Sequence, residues 1–143
     1  MINNTYRILI FLRIPLVIHW ATILVLTSLP SESLPSVSLG DKVEHFLAFF
    51  VLGFFLYLNF LFQNKIKMLQ KYPFAFTLLI CASYGAFDEL HQLLIPGRSA
   101  EFIDWLADFL GAIVGISFAF LISKLFKENL RNFLKLKLEP LPD

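Results

Sequence analysis

Four long apolar segments take up most of this sequence, and they constrain its fold more than any other feature. They extend over about residues 14–30, 43–62, 74–94 and 103–125. A helix needs roughly 20 apolar residues to cross the hydrocarbon core of a bilayer. Hydrophobic residues make up 57% and charged residues 16% of the chain, against roughly 45–50% and a quarter in soluble domains. We therefore expect an all-α membrane protein whose 143 residues form one domain, a four-transmembrane-helix bundle with short extracytoplasmic loops.

The first apolar segment has the basic flank of a signal peptide, with Arg7 and Arg13 before it. No small-residue cleavage pattern follows, so the segment is interpreted as an uncleaved span. Because Arg13 can extend its charged end to the membrane surface, the helix can begin before residue 14. His19 lies inside the span and is expected to be a hydrogen-bonded histidine of the bundle.

Basic residues are concentrated on one side of the predicted topology. They precede the first span, fill the loop between the second and third spans at Lys65, Lys67 and Lys71, and recur after the fourth span. The positive-inside rule then places both termini in the cytoplasm. Residues 126–143 alternate basic and apolar side chains, which predicts an amphipathic cytoplasmic helix on the inner membrane surface. No motif for binding nucleic acid accompanies these basic residues.

The acidic residues lie on the opposite, external side, and helical spacing brings them onto shared faces. Asp41 and His45 are four residues apart, as are Asp88 and Gln92, so each pair shares one helix face. We therefore expect one outward-facing polar pocket in which these faces converge. The ligand-binding residues predicted for it are Asp41, Lys42, His45, Asp88, Glu89, Gln92, Arg98, Asp104 and Asp108.

The fourth span continues its acidic face with small residues. Gly111, Gly115 and Ala119 lie on the same face as Asp104 and Asp108. Small residues let membrane helices approach closely. This face is therefore expected to pack against a neighbouring helix. The single cysteine, Cys81, excludes an intramolecular disulfide and is expected to be a packed residue.

Two interpretations of the polar residues remain open. In the first, Lys42 and Arg98 neutralise the carboxylates and only clamp the loops. The carboxylates outnumber these two cations, however, and excess acids near membrane depth require protons, a metal or a cationic ligand. In the second interpretation the acids therefore have a function.

Chemistry at this pocket is a further alternative. A divalent metal would find nitrogen and oxygen donors in His45, Asp88 and Asp104. Candidates for acid–base catalysis are His45, Glu89 and Asp104. The metal signal is weak because the sequence has no H-E-x-x-H motif and no cysteine ligand, so whether the protein is an enzyme stays open.

These residues resemble the VanZ-like family of small bacterial membrane proteins. Residues 41–45 (DKVEH) are similar to its first motif, and residues 88–92 (DELHQ) and 96–98 (PGR) with Asp104 are similar to its second. The resemblance covers about residues 14–120. One position departs from it, because Asp108 stands where the family pattern usually has Asn.

The resemblance implies a cell-envelope protein of the bacterial cytoplasmic membrane, in a family named for low-level resistance to the glycopeptide teicoplanin. Most members have no assigned reaction. Our first hypothesis is that the pocket binds the head group of an envelope lipid, a cell-wall precursor or a glycopeptide, lowering antibiotic susceptibility. Lys42 and Arg98 would bind phosphate or carboxylate, and the acids and Gln92 would bind hydroxyl or amine groups. The alternatives are a metal-assisted hydrolase or transferase acting on an envelope lipid, and a non-catalytic accessory subunit of an envelope enzyme.

Overall fold

The fold is helical throughout the part of the chain that the structure describes. A computed structural model describes residues 8–33, 40–63, 65–126, 129–130 and 132, and these contain no strand, which confirms the predicted all-α class. The helices are α1 (Ile14–Thr27), α2 (Asp41–Phe62), α3 (Lys67–Lys71), α4 (Pro73–Gln92) and α5 (Phe102–Leu125). The predicted amphipathic tail lies almost entirely outside the described residues.

Among the residues that the structure describes, three segments are long and apolar enough to cross a membrane. They are Ile10–Thr27, Asp41–Phe62 and Phe102–Leu125, and they give the protein its membrane-helix character. Helix α4 is also long, with 20 residues, and it would span roughly 30 Å at 1.5 Å per residue. It is less apolar because its last turns carry Asp88 and Glu89, so its crossing of the membrane stays a prediction.

The first span begins earlier than residue 14, as its flanking arginine suggested. A π-helical turn, Leu9–Arg13, leads directly into α1, and Pro15 lies in the first turn of that helix. Because proline has no amide N–H to donate to the preceding turn, the regular hydrogen-bond ladder cannot continue there. At the same turn, Asn59 Nδ2 of α2 donates to Leu12 O at 3.0 Å. Helix α1 then ends at Thr27, before the predicted residue 30.

The four long helices run in alternating directions in the order of the chain. His19 of α1 lies beside Ala48 of α2, and Leu12 lies beside Asn59, so these two helices are antiparallel. Helix α5 is parallel to α2, since the start of α5 lies beside the start of α2. The site residues on α2, α4 and α5 consequently lie at one end of the molecule.

Helices α2 and α5 make the most extensive contact in the structure, and glycine permits it. A Cβ atom on Gly111 would collide with the backbone oxygen of Phe46, and a Cβ atom on Gly115 would collide with that of Phe50. Gly111, Gly115 and Ala119 are all buried. The predicted packing role of this face is confirmed.

Two further expectations about the interior are also confirmed. His19 Nε2 donates to the carbonyl oxygen of Ala48 at 2.8 Å, so His19 is a hydrogen-bonded residue of the bundle. Cys81 is fully buried and packs in the core with Leu52 and Ala112. Neither residue takes part in the polar cluster at the end of the bundle.

Gly115→Ala should destabilise the protein by about 1–3 kcal/mol, because the added methyl group has no space against the α2 backbone. The measurement is the midpoint of heat-induced unfolding in detergent. Val114→Ile is the matched control, since Val114 is 45% exposed and an added carbon there contacts only the surroundings. Equal unfolding midpoints for the two variants would contradict the packing described here.

Candidate functional site

The polar residues singled out in the sequence meet at the end of the bundle where α2 and α5 begin and α4 ends. His45, Glu89 and Asp108 come from three different helices, yet all three are buried. At 1.5 Å per residue, His45 lies roughly 6 Å and Asp108 roughly 9 Å from the starts of their helices. A charged group at such depth requires a partner, because the surroundings cannot solvate it.

His45 occupies the centre of this cluster. Its Nδ1–H donates to Asp108 Oδ1 at 3.0 Å, and Glu89 Oε1 lies 4.0 Å from the same nitrogen. On the other side of the ring, Nε2 is 3.9 Å from Asp41 Oδ1, which confirms the predicted shared face of Asp41 and His45. The imidazole is thus surrounded by three carboxyl groups.

Lys42 forms a second group of contacts at the rim of the cluster. Its ammonium lies 2.7 Å from Glu101 Oε2, 2.9 Å from Asp104 Oδ1 and 3.5 Å from Asp41 Oδ2. Asp104 is buried, whereas the other three side chains are partly exposed. Lys42 is therefore already paired with carboxylates, as the clamp interpretation expected of it.

The last turns of α4 hold their carboxylates in defined orientations. Gln92 Nε2 donates to Asp88 Oδ2 at 3.1 Å, which confirms that these two residues stack along the helix. The backbone N–H of Glu101 donates to Glu89 Oε2 at 2.7 Å. Each carboxylate is held through one oxygen, and in each the second oxygen, Asp88 Oδ1 or Glu89 Oε1, has no hydrogen-bond partner among the described residues.

Arg98 binds the end of α1 rather than a carboxylate of the described residues. Its Nη2 donates to Leu26 O at 3.2 Å and its Nε donates to Leu29 O at 3.4 Å. Carbonyl oxygens at a helix C-terminus have no partner within the helix and carry partial negative charge. Arg98 therefore joins the loop after α4 to the end of α1. The clamp interpretation also expected Arg98 to hold a loop in place, but by pairing with a carboxylate.

A cavity of about 200 Å³ opens beside the cluster, between α1 and α2. Its wall is mostly apolar on the α1 side and carries charged groups on α2, on α4 and in the loop after α4. The residues that line it are Ile23, Leu26, Thr27, Asp41, Glu44, His45, Ala48, Phe49, Asp88 and Arg98.

Two residues of this region were not among the predicted site residues. Glu101 binds Lys42 through its side chain and Glu89 through its backbone, and Glu44 lines the cavity. Glu101 lies three residues before Asp104, so it shares that helix face, and this spacing could have identified it. Glu44 lies within the DKVEH segment, but its direction depends on where α1 packs, which the spacing does not show.

The residues predicted to act in catalysis or to bind a metal differ in how close they lie to one another and in whether they are already paired. His45 and Glu89 lie together, and Asp104 lies close to His45 and Asp41 but is already paired with Lys42. Asp88 lines the neighbouring cavity. A histidine held by a buried carboxylate has the arrangement of a general base, and the same atoms are suitable metal ligands.

A comparison with protein families identifies one match that covers most of the chain. The family described as VanZ/LLP1 matches residues 3–124. This range contains every helix described above except the last residue of α5. No curated protein and no solved structure matches the chain.

Lys42→Met should lower the thermal stability, because it leaves the buried carboxylate of Asp104 without its cation. Adding Asp104→Asn to Lys42→Met should recover much of the loss, since it removes the unpaired charge. The measurement is the heat-induced loss of the monodisperse peak in size-exclusion chromatography. Lys124→Met, at the other end of α5, is the control and should behave as wild type. A double variant no more stable than Lys42→Met would contradict this pairing.

Proposed function

Because the chain belongs to the VanZ/LLP1 family, we propose that it is a bacterial cytoplasmic-membrane protein that binds the head group of an envelope lipid. The head group would occupy the cavity between α1 and α2. The observation that carries this proposal is the composition of the cavity wall, in which apolar side chains face carboxylates and one arginine. An amphiphile has the same division between its chains and its head group.

We further propose that α4 is a fourth span and that the cavity opens on the outer side. Support comes from the distribution of cations, since Arg13, Lys65, Lys67, Lys71 and Lys124 all lie toward the end of the bundle away from the cavity. An excess of lysine and arginine marks the cytoplasmic side of a membrane protein. Both termini would then be cytoplasmic.

The apolar part of the wall suits the region where a lipid head group joins its chains. Ile23, Leu26, Ala48 and Phe49 form it, and Leu26 is 44% exposed. A side chain that both lines a cavity and faces the surroundings marks an opening of that cavity. In a membrane this opening faces lipid, so an acyl chain can remain in the bilayer while its head group is bound.

The charged part of the wall favours a head group that carries both an amine and a phosphate. Asp41, Glu44 and Asp88 offer carboxylates, which bind an ammonium group through charge-assisted hydrogen bonds. Arg98 is the cation of this wall, and a guanidinium matches the geometry of phosphate. Lys42 is neutralised by its own three carboxylates, so of the two cations predicted to bind phosphate or carboxylate, Arg98 is the one proposed to bind the phosphate.

Lowered glycopeptide susceptibility would follow if the bound lipid were withdrawn from, or altered for, cell-wall assembly. A lipid-linked cell-wall precursor shares the apolar chain and the phosphate, so it is a second ligand of the same chemistry. The alternative of hydrolysis or group transfer is favoured by the hydrogen bond between His45 and Asp108, because a histidine so held can activate water. An accessory role would require only the clamps formed by Lys42 and Arg98.

Binding of phosphatidylethanolamine should weaken about tenfold or more in Asp41→Asn/Glu44→Gln, because each charge-assisted hydrogen bond contributes about 1.5–3 kcal/mol. The measurement is native mass spectrometry of the purified protein titrated with the lipid. Phosphatidylglycerol, which has the phosphate but no amine, should bind more weakly to wild type and should be unaffected by the two substitutions.

Glu32→Gln is the matched control, since Glu32 is an exposed acid outside the cavity. Equal affinities for the two lipids, or equal affinities of all variants, would contradict the proposed pocket. Release of the head group by wild type, and its loss in His45→Gln, would instead select the enzymatic alternative. Unchanged lipid binding with lowered stability in Lys42→Met would select the accessory role.

A further inference from the structure

Three buried side chains from three helices point toward one another beside the cavity. His45 is 9% exposed, Glu89 is 6% exposed and Asp108 is 1% exposed. One ligand atom from each residue lies within 4.8 Å of the other two. The helices α2, α4 and α5 each contribute one of these residues, so the arrangement is fixed by the packing of the bundle.

Two oxygens of this group have no hydrogen-bond donor among the described residues. They are Glu89 Oε1 and Asp108 Oδ2. A buried carboxylate oxygen without a donor is costly, since it has lost its water and gained nothing in return. His45 has a single N–H on this side and gives it to Asp108 Oδ1. The two carboxylates therefore have an unmet need for positive charge.

Glu89 and His45 are also held so that they face this point. The backbone N–H of Glu101 binds Glu89 Oε2, which leaves Oε1 directed toward His45. Asp41 lies 3.9 Å from Nε2 on the far side of the imidazole, where it favours a proton on Nε2. A carboxylate hydrogen-bonded to one nitrogen of a histidine is the usual support of a metal-binding imidazole, and Asp41 lies close to that position. With a proton on Nε2, Nδ1 can exchange its own proton for an ion.

The distances agree with a small metal site. Ligands bound at about 2.0–2.1 Å to a tetrahedral ion lie about 3.3–3.4 Å from one another. His45 Nδ1 is 3.0 Å from Asp108 Oδ1 and 4.0 Å from Glu89 Oε1. Small rotations of side chains would bring both distances to the required value.

We propose that His45, Glu89 and Asp108 form a binding site for a divalent first-row metal ion. His45 binds through Nδ1, whose proton is released to solvent through the adjoining cavity when the ion replaces its hydrogen bond to Asp108, and the two carboxylates bind through oxygen. One imidazole and two carboxylates favour Zn²⁺ or Mn²⁺ over Mg²⁺ and Ca²⁺, which prefer all-oxygen sites. The ion supplies the positive charge that the two carboxylates need, so the site also stabilises the end of the bundle.

This set differs from the metal candidates seen in the sequence. Asp104 already accepts the ammonium of Lys42 at 2.9 Å, and Asp88 is held by Gln92. Asp41, His45 and Asp104 also lie close enough to share an ion. That group contains an exposed aspartate and one that Lys42 has neutralised, so its need for a second cation is smaller.

The test uses full-length protein purified in detergent, stripped with a chelator and dialysed separately against Zn²⁺ and Mn²⁺ without added lipid. Elemental mass spectrometry should find about one ion per chain in wild type. Asp108→Asn and Glu89→Gln keep the size of each side chain and remove a charge, so they should weaken binding about tenfold or more. Glu32→Gln, at an exposed acid outside both the cavity and the group, should bind as wild type.

Wild type that takes up no ion, or uptake unchanged by both substitutions, would overturn the site. If Asp108→Asn fails to fold, Glu89→Gln and the visible spectrum of bound Co²⁺ decide the outcome. His45→Gln must change that spectrum, and Glu32→Gln must leave it unchanged. An unchanged spectrum in His45→Gln would also overturn the proposal. Since no lipid is present, the outcome is independent of the proposed lipid binding.

Discussion

The close parallel contact between α2 and α5 is the constraint on which the rest of the structure depends. Gly111 and Gly115 allow the backbones to meet at Phe46 and Phe50, which fixes how far each helix is rotated. One turn nearer the end of the bundle, the same rotation points Asp108 at His45. A larger residue at either glycine would separate the helices and also move the centre of the polar cluster.

Sequence reasoning was most successful where a single helix determines the outcome. The shared faces of Asp41 with His45 and of Asp88 with Gln92 follow from the helical repeat, and the structure confirms both. The small face of α5 was predicted for the same reason. The beginning of the first span before residue 14 followed from the ability of Arg13 to reach the membrane surface.

Contacts between helices were harder to predict, because they depend on rotations that no single segment determines. The sequence suggested Asp88 and Asp104 as metal ligands with His45, whereas Glu89 and Asp108 lie closest to its Nδ1. Arg98 was expected to face a carboxylate or a phosphate, and its contacts with the carbonyl oxygens at the end of α1 were not predicted. The choice among these partners is made by packing between α1, α2, α4 and α5.

The charged residues around Lys42 and those around His45 serve different purposes in the structure. Around Lys42 one ammonium contacts three carboxylates, and all of these side chains except Asp104 are partly exposed. The contacts connect α2 to the start of α5, which is an arrangement for holding helices together. Around His45 they are buried and include more carboxylates than cations, which is an arrangement that favours binding a positive charge. The lipid and metal proposals both follow from this excess, through the cavity wall in one case and the buried group in the other.

The contact between His45 and Asp108 is the central claim of this account, and a double-mutant cycle measures it most directly. His45→Ala, Asp108→Ala and the double variant would be compared with wild type by their free energies of unfolding in detergent. The account predicts a coupling energy of about 0.5–3 kcal/mol, as for residues in direct contact. Effects that add to within about 0.3 kcal/mol, as they do for distant residues, would contradict it.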